Sequence, residues 1–384
     1  MKKILAVTGI RSEYFILQPI FEEIIKRGDL ELKVVVTGTH LSPIYGETYK
    51  IIENDGYDIV KLEALLSADS LSGRSKSLGI QIIGLTDIIL REKPDWLLIL
   101  GDREESISTA TVGTYMNIPV AHVCGGDRVV GNIDDSVRHA VTKLAHLHFP
   151  ATKENGERIL RMGEEPWRVH VTGNPALDSI RKQPDLSFNY INQQLGTTLT
   201  LDKPFVLLIK HPLSSETEKS EEQMRITLEA IAELGYETIL TYPNSDAGSY
   251  EMIKVIDEYK ERYDFINSFK TLPRDIFVNL QRKAALLLGN SSCGILEAPF
   301  LKLPVVNVGN RQKQRQHSEN IIFVPHDKEL IKSAINKCIY DEEFKQICQN
   351  CSNPYGDGYS GERIARIIAE TKINKKLINK EIIY

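Results

Sequence analysis

The stretch HVCGGDRVVGNIDDSVRH at 122–139 gathers a thiol, three aspartates, two arginines and two histidines around a glycine pair. Side chains of these types, held close together, move protons on and off a substrate. The plainer alternative is a polar loop ahead of a well-started helix. Asp134 reads as its N-cap and Asp135 as a first-turn acid, with Arg138 and His139 placed as i,i+4 partners. Upstream, LILGDREE puts Asp102 at the end of an apolar run with Arg103 beside it. An aspartate there caps the following helix or serves as an acid or base.

Other stretches suit anion binding. TGIRSEY has Gly9 in a tight turn and Arg11 at a helix start, where the guanidinium grips a phosphate or stands in solvent. LIKHP ends an apolar run at His211, a residue able to donate to a phosphate or shuttle a proton. The most specific stretch is GNSSCGILEAPFLKLPVVNVGNRQKQR. Ser291 and Ser292 form a polar turn ahead of a helix holding residues 295–300, a setting for a pyrophosphate. Glu297 lies further in, within reach of ribose hydroxyls, and Arg311 and Arg315 follow the next run to offset phosphate charge. A capped helix followed by solvated arginines is the structural alternative.

What positions these residues is a repeating alternation. Apolar runs at 3–9, 32–38, 95–102, 118–126, 147–152 and 167–173 alternate with segments of helical period. The pattern restarts at 203–211, 236–244, 264–269, 284–292 and 304–310. Continuous apolar strands alternating with helices imply parallel sheets covered on both faces. Two doubly wound, Rossmann-like α/β domains follow, at 1–172 and 173–360, with a C-terminal helix over 361–384 packing back on the first. Such sheets bind ligands at the carboxyl ends of their strands, and the polar residues above fall at that register.

Composition narrows the class. The 384 residues exceed one ordinary core, so two domains of roughly 150–200 residues are expected. A net charge of −5 argues against a nucleic-acid surface. No apolar run reaches the ~18–20 residues of a membrane span, and the N-terminal run ends too early for a signal peptide. Five cysteines, with one isolated C-x-x-C at Cys348 and Cys351, read as free thiols of a cytoplasmic protein.

Taken in order, GDR at 101–103, IDDSVRHAVTKLAHLH at 133–148, KHP at 210–212, PNSDAGS at 243–249, GNSSCGILEA at 289–298 and GNRQKQR at 309–315 resemble a known family. It is that of the UDP-N-acetylglucosamine 2-epimerases, and specifically the hydrolysing branch of sialic-acid-type biosynthesis. The resemblance spans nearly the whole chain. It implies a GT-B-like pair of domains with a nucleotide sugar in a central cleft, no cofactor or metal, and a homodimer. It implies that Arg11, Arg103, His211, Asn244, Ser291, Ser292, Glu297 and Arg311 hold the nucleotide, and that Asp102 and Asp134 are catalytic carboxylates. The implied reaction removes the C2 proton and expels the nucleoside diphosphate to give a glycal, to which water adds.

This sequence departs from the family's pattern twice. Cys124 stands where many relatives have glutamate or histidine, and Ile16 where many have lysine. A buried thiol replaces a carboxylate base only when its pKa is lowered. Asp127, three residues on, is the candidate to supply the missing charge. Three other readings use the same architecture: a non-hydrolysing epimerase, a glycosyltransferase needing an acceptor, and a nucleotide-sugar sensor without catalysis.

Overall fold

A computed structural model describes residues 1–66, 71–128, 133–243, 248–313 and 315–383. In chain order the first half runs β1 (Lys2–Thr8), α1 (Arg11–Arg27), β2 (Leu30–Val36), α2 (Tyr49–Asn54), β3 (Ile59–Lys61), α3 (Leu71–Glu92), β4 (Trp96–Leu100), α4 (Glu104–Tyr115), β5 (Val120–Val123), α5 (Ile133–Leu144), β6 (Leu147–Phe149), α6 (Lys153–Arg161) and α7 (Ala176–Lys182). Then come α8 (Phe188–Leu195), β7 (Phe205–Ile209), α9 (Ser220–Leu234), β8 (Glu237–Thr241), α10 (Ser249–Arg262), β9 (Ile266–Phe269), α11 (Arg274–Lys283), β10 (Leu286–Gly289), α12 (Cys293–Leu296), β11 (Val305–Val308), β12 (Ile321–Val324), α13 (Lys328–Tyr340) and α14 (Glu342–Asn350). The chain closes with α15 (Ser360–Glu370) and α16 (Lys375–Ile378).

Two compact units result, Met1–Arg181 with Tyr355–Tyr384, and Lys182–Pro354. Each is built on a six-stranded sheet, ordered β3-β2-β1-β4-β5-β6 in the first and β12-β11-β10-β7-β8-β9 in the second. Every pairing is parallel. Both orders are the doubly wound Rossmann arrangement, whose switch point lies between the first and fourth strands of the unit.

Period-two burial along the strands decides which helices cover which face. Ile4 and Ala6 of β1 pack with Tyr14, Leu17, Ile20 and Phe21 of α1 and with Ile364 and Ile368 of α15. Leu5 and Val7 point the other way, onto Leu85, Ile88 and Ile89 of α3 and Ala110 of α4. In the second unit, Val206 and Leu208 of β7 meet Met224, Leu228 and Ile231 of α9, while Phe205 and Leu207 meet Ile276 and Leu280 of α11. Asp178 accepts from the N–H groups of Ser360 and Gly361 at 3.0 and 2.8 Å, fixing the start of α15 within the first unit.

Four local readings change. The run at 167–173 is no strand: it makes one isolated bridge, His148 to Val169, after a short helical turn at 166–168. Arg168 there is buried and donates to the carbonyls of His146, Lys376, Leu377 and Asn379, so the segment anchors the C-terminal tail. The short edge strands β3 and β12 were unforeseen. The helix expected around residues 295–300 stops at Leu296, because Pro299 disfavours helical geometry in the residue before it and supplies no N–H. Ile133 opens α5, so Asp134 stands inside the first turn rather than ahead of it.

Candidate active site

At the switch point of the first unit, β4 ends and Gly101 turns the chain with φ +73°. Asp102 does not cap α4: its carboxylate meets the Arg138 guanidinium, an ion pair from the β4 end to α5. The other arm of Arg138 lies 3.7 Å from the Asp127 carboxylate. Arg138 is buried, with 8% of its surface exposed, and reaches two partly buried carboxylates. Asp134 lies one turn before Arg138 on the same helix. His139 and Asp135 do form the expected i,i+4 pair, at 3.7 Å. Asp102, Asp127 and Arg138 are therefore one cluster, and Asp134 starts from the helix that supplies its cation.

A second acidic pair was not foreseen. Glu13, in the first turn of α1, accepts from the Gly9 N–H at 2.9 Å. Glu105 of α4 comes so close that a Cβ on Gly9 would lie 1.9 Å from its carboxylate oxygen. Gly38, at φ +57°, is kept open by the same side chain. Both glutamates are buried, and Arg103 Nε sits 3.4 Å from Glu105 and 4.0 Å from Glu13. Arg103, expected to hold nucleotide, is thus the counter-ion of internal carboxylates. Gly9 makes room for Glu105, where a Rossmann turn ordinarily admits a phosphate. Arg11 is exposed at the start of α1, its guanidinium 5.4 Å from the Phe15 ring centre.

Burial, then the charge of Glu105, pushes the Glu13 carboxyl up to about 8, and burial also raises Glu105. A carboxyl whose folded pKa is raised favours the fold when protonated, and that contribution is lost as pH rises from the ordinary carboxylate range through about 8. Glu105→Gln removes one member of the pair. Its melting temperature relative to wild type is expected to be higher in mildly alkaline than in mildly acidic buffer. An equal offset at both pH values would contradict the shared burial.

Cys124 directly follows β5 with φ +58°, a left-handed conformation that favours glycine. Burial pushes its thiol up to about 12, with Asp127 adding to the effect. At neutral pH it is a protonated thiol, so it does not serve as a base. Cys124→Ser is accordingly expected to keep turnover within about threefold of wild type, since no thiolate is lost. A steady-state assay at neutral pH checks this. Ile16 packs against the sheet core.

The second unit has the opposite character at its switch point. Gly289 has φ +130°, and a Cβ there would lie 2.0 Å from the Ile209 carbonyl, so β7 and β10 approach closely. Asn290 ties their ends together: its Oδ1 accepts from the His211 N–H at 2.7 Å and its Nδ2 donates to the His211 carbonyl at 2.8 Å. The Asn290 carbonyl in turn accepts from Arg311 Nη1 at 3.2 Å and from Gln312 Nε2 at 3.0 Å. His211, Ser291, Ser292 and Arg311 are therefore brought to one edge, with Arg315 following in the next turn. Ser291 Oγ accepts from the Cys293 thiol at 3.1 Å. Glu297 is held by Arg274 at 3.3 Å and by Gln281 Nε2 at 2.8 Å, so a ribose would share its oxygens with them. Asn244 lies outside the described residues.

Two doubly wound parallel sheets with polar groups collected at the carboxyl ends of their strands define a Rossmann-type α/β protein, whose fold binds ligands at those ends. The family model for UDP-N-acetylglucosamine 2-epimerase matches residues 22–369, and the chain belongs to that family. It is 34% identical over 381 residues, covering 99% of each chain, to the UDP-N,N′-diacetylbacillosamine 2-epimerase (hydrolyzing) of Legionella pneumophila. It is 34% identical over 352 residues to the GDP/UDP-N,N′-diacetylbacillosamine 2-epimerase (hydrolyzing) of Campylobacter jejuni, covering 90% of this chain and 89% of that one. The crystal structure of UDP-GlcNAc 2-epimerase from Neisseria meningitidis bound to UDP-GlcNAc has the same fold. Its TM-score is 0.79 at 19% identity, over 96% of this chain and all (100%) of that one.

Proposed function

We propose that the protein is a hydrolysing 2-epimerase of a UDP-2-acetamido sugar, releasing UDP and a free sugar of the N-acetylmannosamine type. The observation that carries the division of labour is the opposite polarity of the two switch points. In the first unit the place of a phosphate is filled by Glu13 and Glu105, and Asp102, Asp127 and Arg138 form a charged cluster beside it. In the second unit His211, Ser291, Ser292 and Arg311 line the strand ends, and Arg311 carries the positive charge.

The diphosphate belongs on the second unit, where Arg311 and Arg315 offset its charge as it leaves. Asp102 and Asp134 of the first unit handle the protons. One takes the C2 proton while the C1–O bond to the diphosphate breaks, leaving a 2-acetamidoglycal and UDP. Water then adds across the double bond, its hydroxyl to C1 and a proton to C2 on the other face. Asp127, which shares Arg138 with Asp102, replaces the charge that Cys124 does not bring. No metal or cofactor enters this route.

UDP-N,N′-diacetylbacillosamine is the second substrate reading beside UDP-N-acetylglucosamine. The names of the Legionella and Campylobacter relatives favour it. The free product suits a condensation that builds a sialic-acid-like nonulosonate in the cytoplasm, and a homodimer is the expected assembly, checked by sedimentation equilibrium. Incubation with UDP- and GDP-sugars, without acceptor, tests the function. Free UDP and the 2-epimeric sugar are expected. Interconversion of intact UDP-sugars alone would identify a non-hydrolysing epimerase, acceptor-dependent release a glycosyltransferase, and tight UDP binding without product a sensor.

A further inference from the structure

His122 lies within β5 and has no exposed surface. Its Nε2–H donates to the Gly101 carbonyl at 2.8 Å, on the turn that presents Asp102. Its Nδ1 is buried and has no hydrogen-bond partner among the described residues. That edge of the ring faces Gly125, where a Cβ would lie 2.8 Å from Nδ1 and 2.9 Å from Cε1. Gly125 belongs to the turn running from Cys124 to Asp127. The Thr142 hydroxyl lies 3.4 Å from the same point, and it donates to the Arg138 carbonyl on α5 at 3.1 Å. The imidazole therefore joins the Gly101 turn, which leads to Asp102, to the Gly125 turn, which leads to Asp127 and itself lies against Thr142 of α5, the helix of Arg138 and Asp134.

We infer that His122 is a positioning residue, fixing the Gly101–Asp102 turn against the Gly125 turn and α5 so that the carboxylates share Arg138 in one geometry. Burial lowers its pKa to about 3, so the ring is neutral, with one N–H that the Gly101 carbonyl takes up. Gly125 has an ordinary backbone conformation, so space against this ring, and not φ, is what requires glycine there.

The inference rests on the reading of Asp102 as a proton-transfer group, and the test separates the two. kcat, KM, melting temperature and UDP affinity are measured for His122→Leu, His122→Gln, His122→Asn, Gly125→Ala and Asp102→Asn. Misplacing the cluster by about an ångström is expected to lower kcat in His122→Leu by about 10²-fold, with KM and UDP affinity unchanged. Gly125→Ala is expected to do the same by displacing the ring, which keeps the test decisive if His122→Leu fails to fold. Gln reaches the Nε2 position with a donor and restores most of kcat, whereas Asn reaches only the Nδ1 position and does not. Wild-type kcat in both His122→Leu and Gly125→Ala, with Asp102→Asn inactive, would overturn the positioning role. So would equal rates for the Gln and Asn variants. Wild-type kcat in Asp102→Asn would instead overturn the underlying reading.

Discussion

Asp102→Asn is expected to lower kcat by about 10²–10⁴-fold, the range for losing a positioned proton-transfer group, with UDP affinity unchanged. The asparagine keeps the shape of the aspartate and can still accept from Arg138, so the helix and the turn stay in register. What disappears is a carboxylate able to take and return a proton. Asp102 pairs with buried Arg138, and Gly101 with φ +73° turns the chain just before it at the end of β4. Single-turnover kinetics with UDP titration by calorimetry separates the effects. A loss of UDP affinity equal to the loss of rate would place Asp102 in binding rather than chemistry.

Arg311→Ala is expected to divide the other way. A charge-assisted hydrogen bond is worth about 1.5–3 kcal/mol, so UDP affinity falls roughly 10–150-fold. The arginine bonds the Asn290 carbonyl, and Asn290 ties the β7 end to the β10 end, so the variant also loosens the turn holding Ser291 and Ser292. Gln312 still donates to that carbonyl, so the second unit stays folded. The dependence of binding on salt should weaken at the same time, because one cation facing the diphosphate is gone. An unchanged affinity in calorimetry would remove Arg311 from the diphosphate site.

The sheets were legible in the sequence because their central strands are long apolar runs that end in glycine or a charged residue. LLILGDR fixes both β4 and the place of Asp102 just beyond it. Two of the four edge strands, β3 and β12, were not legible, since IVK and IIFV are too short to show a period. Pairing across the sheet was equally hidden. Arg138 has Asp134 four residues before it, and nothing in its spacing points to Asp102 or Asp127. Glu13 and Glu105 look like ordinary first-turn acids of α1 and α4. Only the strand order β2-β1-β4 brings those helix starts, and the glycines that admit Glu105, to one point. His122 was invisible for the same reason, because its partner, the Gly101 carbonyl, sits on the neighbouring strand's turn.

The most direct test follows the substrate's own hydrogen. Turnover of UDP-N-acetylglucosamine, or of UDP-N,N′-diacetylbacillosamine, is run in D2O and the products are read by NMR. Expected are UDP and a free 2-epimeric sugar carrying deuterium at C2, formed by wild type and not by Asp102→Asn. A free sugar that keeps its original hydrogen at C2 would contradict proton abstraction by the first unit's carboxylates.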